Sequence, residues 1–192
     1  MEQNLPHGLL LIQIISRYKS LKGIINFVVM LTRADTMKNT GIEIMSPVGS
    51  YESLQAAIQG GAASVYFGVG QLNMRSKSSY NFTLDDLETL ASICRKKGVR
   101  SYLTVNTVLY DDELNDMRRM VDAAKEHGIT AIIASDLAAI QYARSIGMEV
   151  HISTQLNVTN LESLRFFSAY ADVMVLAREL NLSRVKEIAE AI

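Results

Sequence analysis

Two short runs decide the fold: Tyr102-Leu103-Thr104-Val105-Asn106 and Val150-His151-Ile152-Ser153-Thr154. Successive side chains of an extended strand point to opposite faces. Tyr102, Thr104 and Asn106 therefore share one face, opposite Leu103 and Val105, and His151, Ser153 and Gln155 share one face, opposite Val150 and Ile152. In an earlier run Tyr66 and Gly68 share a face in the same way. One face is aliphatic and suits packing against helices, while the other grows polar toward the carboxyl end. A doubly wound sheet has helices on both faces, and its strands tend to be apolar throughout. A barrel keeps its helices outside and fills its lumen with side chains, with its site at the carboxyl ends of the strands. Parity favours the barrel, and no glycine-rich dinucleotide turn follows the first strand of the series to argue otherwise.

Outward from these runs, strand and helix signals alternate from residue 42 to the end. Strands are expected at 42–46, 64–68, 102–106, 131–134, 150–154 and 173–177. Between them lie helical stripes opened by capping residues such as Ser50, Thr83, Asp136, Asn160 and Asn181. Several close on a glycine: Gly60-Gly61, Gly98, Gly128 and Gly147. Such alternation implies a parallel sheet with crossover helices. The expectation is an α/β chain forming an incomplete (β/α) barrel of the TIM type with six βα units. A complete barrel of this kind takes eight units, so two edges with unpaired backbone groups are expected, and with them self-association.

The 192 residues are 48% hydrophobic and 20% charged, which excludes a disordered chain, a coiled coil and a collagen-like repeat. Nineteen basic and twenty acidic residues leave a net charge of -1, so no bulk charge draws the chain to nucleic acid or to a membrane. The single cysteine, Cys94, excludes an internal disulfide and any all-cysteine metal site built from this chain alone. It fits a reducing compartment. Residues 1–36 read differently from the rest. Their apolar stretch, whose longest clean run is Leu9 to Ile12, is broken by Arg17, Lys19 and Lys22. Cations inside the apolar part suit neither a membrane span nor a secretory signal. The stretch is read as an N-terminal extension outside the fold, with 37–192 as the partial barrel. The expected location is cytoplasmic.

Reacting groups of a parallel barrel collect at the carboxyl ends of its strands. Those positions supply amides, hydroxyls and two arginines. Arg75 and Arg178 can grip a carboxylate or phosphate in bidentate fashion. Asn73, Asn106, Gln155, Asn157 and Glu179 can orient a polar substrate. His151 is the one histidine on the lumen face and is the candidate for acid-base work, with Asp136 as a second candidate catalytic group. Structural readings compete with each of these. His151 can be a satisfied core histidine, Asp136 a helix cap, Arg178 and Glu179 an ion pair, and Cys94 a small buried hydrophobe. Common zinc, redox, P-loop and hydrolase signatures are absent, and no residue is assigned to a metal.

Further motifs resemble a known family. Ser46-Pro47-Val48-Gly49-Ser50-Tyr51-Glu52-Ser53-Leu54 and Gly61-Ala62-Ala63-Ser64-Val65-Tyr66-Phe67-Gly68 look like the opening of the peptidase U32 family. Asn73-Met74-Arg75, Asn81-Phe82-Thr83, Val105-Asn106-Thr107 and Ser135-Asp136-Leu137 follow in order, then the run from His151 to Asn160 and Leu176-Ala177-Arg178-Glu179-Leu180. The matches span residues 42–180, and residues 1–36 match nothing in the family.

The resemblance implies two kinds of activity. One is a peptidase with collagenase activity. The other is oxygen-independent hydroxylation of a tRNA uridine, an rRNA cytidine or a ubiquinone precursor, with an iron-sulfur cluster and prephenate as hydroxyl source in the RNA-modifying members. The family's cluster cysteines lie beyond the Arg-Glu-Leu motif, so no cofactor is expected on this chain alone. The cluster is expected only in a full-length protein. The first expectation is therefore the N-terminal portion of a prephenate-dependent RNA hydroxylase, binding a small anion such as prephenate, with RNA engaged through a C-terminal part. A U32 peptidase and a non-enzymatic half-barrel partner subunit are the alternatives.

Overall fold

The computed structural model describes residues 9–13, 28–31, 43–74 and 81–191. Six parallel strands form the expected curved wall: β3 (Glu43–Pro47), β4 (Ser64–Gly68), β5 (Arg100–Val105), β6 (Ala131–Ala134), β7 (Glu149–Ile152) and β8 (Val173–Val175), each hydrogen-bonded to the next. Helices follow each strand: α1 (Tyr51–Gln59), α2 (Asp86–Lys97), α3 (Leu114–His127), α4 (Leu137–Ser145), α5 (Leu161–Ser168) and α6 (Leu182–Glu190). This is the six-unit βα barrel wall that parity predicted.

Two further strands come from the stretch read as an extension. β1 (Leu9–Gln13) and β2 (Val28–Leu31) pair antiparallel with each other, β1 runs parallel to β8, and β2 runs antiparallel to β3. The ring is thereby closed with eight strands, only six of which belong to βα units. The two edges expected to lie open thus carry backbone partners in the structure. Edge N–H and C=O groups are a standing template for pairing, and the apolar run beginning at Leu9 supplies one partner strand.

Local chemistry explains the element limits. Ser50 caps α1 in a full capping box with Ser53. Asp136, Asn160 and Asn181 cap α4, α5 and α6 through their side chains. Thr83 departs from the expected box. α2 begins three residues later, at Asp86, and the Thr83 N–H and hydroxyl both donate to the Asp86 carboxylate at 2.8 Å. Gly98 ends α2 at φ 66°, a left-handed conformation that costs glycine little.

Alternation sorts two cores. Val65, Phe67, Leu103, Val105, Ile132, Val150, Ile152 and Met174 face outward and pack with the helices in the main cluster. Met45, Tyr102, Ala131, Ile133, Val173 and Val175, with Tyr66, form a second cluster in the lumen. Tyr102 is fully buried at its centre. Its hydroxyl donates to Glu43 Oε1 at 3.1 Å, and its ring lies 4.6 Å, centroid to centroid, from that of His151. Burial, aided by the nearby Glu149 charge and opposed by Arg100, pushes the Tyr102 phenol up to about 12.

Two stability measurements follow. Tyr102→Phe leaves the Glu43 carboxylate short of a donor and should cost about 1–3 kcal/mol in urea unfolding. Burial also raises the Cys94 thiol from 9.0 to about 11. A raised pKa stabilises the fold fully below the unfolded value, and that share is lost as pH climbs from 9 through 11. Replacing Cys94 with Ala should therefore flatten the fall in stability over that window, and an unchanged slope would remove Cys94 as its source.

Candidate active site at the carboxyl ends of the strands

The predicted site residues divide into three groups. His151 is wholly buried in the lumen wall, one layer below the rim. Its Nε2 meets Glu149 Oε1 at 2.7 Å, and its Nδ1 has no hydrogen-bond partner among the described residues. It belongs to the barrel floor with Tyr102, Glu43 and Arg100, whose guanidinium lies against the Glu43 carboxylate. Asn73, Asn106, Asp136, Gln155, Asn157, Arg178 and Glu179 all lie at the rim, at the carboxyl ends of β4 to β8. Arg75 falls outside the described residues.

At the rim, neighbouring loops are tied together. Asn73 is completely buried, and its Nδ2 donates to the carbonyls of Val69 at 3.4 Å and Gly70 at 3.2 Å. The next residue, Met74, donates its backbone N–H to Asn106 Oδ1 at 3.2 Å, joining the loops after β4 and β5. Asp136 accepts from Ala138 N at 2.8 Å and from Leu109 N at 3.3 Å, joining the loops after β5 and β6. Both of its oxygens are thus committed to backbone donors, which realises the cap reading. Gln155 Oε1 accepts from the Ser153 hydroxyl at 3.1 Å. Asn157 adopts a left-handed φ of 50°. Gln155, Asn157, Arg178 and Glu179 are exposed. No ion pair joins Arg178 to Glu179 among the described residues, so both charges face the rim unneutralised by each other. Around this polar rim stand exposed apolar side chains: Met74, Val108, Tyr110, Leu137 and Leu182.

The opposite end differs. A cavity of about 570 Å³ is lined there by Arg100, Arg144, Glu149 and Asp172, among others. Arg144 pairs there with Asp172 at 3.1 Å and Arg100 with Glu43, while Glu149 is hydrogen-bonded to His151. Sequence reasoning missed this floor. Its signal was present, since Glu43, Arg100 and Glu149 lie two residues before Met45, Tyr102 and His151 and so share the inward face.

The iron-sulfur cluster implied by the resemblance does not fit the described residues. Cluster iron takes thiolates. Cys94 is 1% exposed within the outer core, and burial holds its thiol protonated. No group of three or more His, Cys, Asp or Glu suited to a metal occurs among the described residues. No described helix is long and apolar enough to cross a membrane.

If Asp136 acts as a cap and loop tie, Asp136→Ala should cost about 1 kcal/mol or more by chemical denaturation, with Asp136→Asn retaining most of it.

Comparisons with known proteins agree with this architecture. The family model described as peptidase family U32 matches residues 49–192. A "Collagenase" of Porphyromonas gingivalis (strain ATCC BAA-308 / W83) is 61% identical over 156 residues, covering 81% of this chain and 38% of the relative. The "23S rRNA 5-hydroxycytidine C2501 synthase" of Escherichia coli (strain K12) is 31% identical over 157 residues, covering 81% of this chain and 24% of the relative. A "tRNA hydroxylation protein P" of Helicobacter pylori (strain ATCC 700392 / 26695) is 29% identical, covering 79% of this chain and 36% of the relative. The chain thus spans well under half the length of these relatives. Among solved structures, a U32 peptidase superposes with a TM-score of 0.64 at 14% identity, over 83% of this chain and 69% of that one, a likeness of fold. Sequence motifs, barrel and family match converge: the chain belongs to peptidase family U32.

Proposed function

We propose that this chain supplies the barrel of an oxygen-independent RNA hydroxylase, in which the strand-end rim binds a small dicarboxylate such as prephenate and the parent enzyme hydroxylates a tRNA or rRNA base. The observation that carries this reading is the chemistry of the rim. It gathers carboxamides (Asn106, Gln155, Asn157) and an exposed guanidinium (Arg178), groups that bind carboxylate oxygens. The described residues pair no serine or cysteine with a histidine. His151 is committed to Glu149, and Cys94 lies in the outer core. The relatives named for rRNA and tRNA hydroxylation support the same reading. The cluster that would supply the redox chemistry is assigned to no residue of this chain.

A peptidase is the second reading, favoured by the 61% identity to a protein named collagenase. One experiment separates the two. Nucleosides from tRNA and rRNA are compared by mass spectrometry between cells with and without the gene, and purified protein is incubated with gelatin. The expected result is loss of a nucleoside carrying one added oxygen, with gelatin intact. Unchanged nucleosides together with gelatin turnover would replace the first reading by the second.

A further inference from the structure

We infer that Gly68, Asn73 and Met74 form a latch that holds the Asn106 carboxamide in one orientation, with its oxygen occupied and its two N–H donors turned to a ligand oxygen. The inference rests on the small-anion reading for the identity of that ligand, but the latch stands on geometry alone. Gly68 ends β4 beside Thr104 of β5. A Cβ at Gly68 would overlap the Asn73 carboxamide. The missing side chain is therefore the seat of Asn73, which is why a fully buried amide can lie at that strand end. Held there, and donating to the Val69 and Gly70 carbonyls, Asn73 fixes the start of the loop. The loop in turn directs the Met74 N–H at Asn106.

A backbone N–H can only donate, so its partner on Asn106 must be the oxygen. The Nδ2 group is left, with no partner among the described residues, on a side chain that is only half-buried. The next residue repeats the pattern: Thr107 Oγ1 is buried and has no partner among the described residues. The end of β5 thus keeps hydrogen-bonding capacity in reserve, and at Asn106 that capacity is donor-only. A carboxylate or carbonyl oxygen satisfies it, whereas an ammonium group, which has no lone pair, does not. Gly68 and Asn73 are positioning residues, acting through Met74 on the polarity of Asn106.

Amide hydrogen exchange at Met74 tests the latch in the full 192-residue chain. Gly68→Ala should speed exchange at Met74 by about tenfold, the loss of one modest hydrogen bond. Asn73→Ala, which introduces no clash, should do the same if Gly68→Ala folds poorly. Asn106→Asp keeps the acceptor and should leave Met74 protected, while Asn106→Ala should not. In titrations with prephenate, Asn106→Asp should bind at least about tenfold more weakly than wild type, because it replaces donors with a negative charge. Met74 exchange unchanged in both Gly68→Ala and Asn73→Ala, or Met74 protection lost in Asn106→Asp, would overturn the latch. Wild-type protein that binds no prephenate would count against the small-anion reading, and the exchange data would still decide the latch.

Discussion

The Tyr102 ring, buried without remainder in the lumen, has its hydroxyl on Glu43 and its flank on His151. Everything else in the barrel is arranged around what that placement requires. A phenol inside the wall must have a partner, because an unsatisfied buried polar group is costly. The partner is a carboxylate, which itself must be matched, and Arg100 lies against it. His151 meets Glu149 in the same layer. The strand alternation that buries Leu103 and Val105 under the helices necessarily directs these polar groups inward. The apolar outer core and the charged floor are two consequences of one period.

The two ends of the lumen handle polarity differently. At the floor, arginines are set against carboxylates, Arg144 on Asp172 and Arg100 on Glu43, and the cavity there is walled in part by those pairs. At the rim, Asp136 and Asn73 spend their capacity on the backbone and hold neighbouring loops together. Asn106, Asn157 and Arg178 remain available around the opening. Binding sites work this way when supporting residues are locked and a few groups are left unspent. The apolar collar of Met74, Val108, Tyr110, Leu137 and Leu182 surrounds that opening.

Membership of family U32 places this barrel among relatives named both for collagenase and for RNA hydroxylation, all of them considerably longer than this chain. A shared fold does not choose between such chemistries, which reside in the site. Here the described site offers oxygen-binding donors, and the lone thiol is sequestered on the helix side of the wall.

Local information was enough for the wall. The two-residue period of 102–106 and 150–154 assigned the inner and outer faces, and caps such as Ser50, Asn160 and Asn181 marked helix starts, because strand parity and helix capping act within a few residues. The resemblance motifs named the family for the same reason, being contiguous. Three features required the tertiary structure. The ring closes through Leu9–Gln13 and Val28–Leu31, and the closing pair sets Leu9 beside Val173, a partner most of the chain away that no local pattern specifies. Glu43, Arg100 and Glu149 become floor partners only when curvature brings β3, β5 and β7 around one centre. Asn73 finds its seat only because a glycine ends β4 beside it, and that contact, invisible in either residue type, determines which end of the Asn106 amide faces the opening.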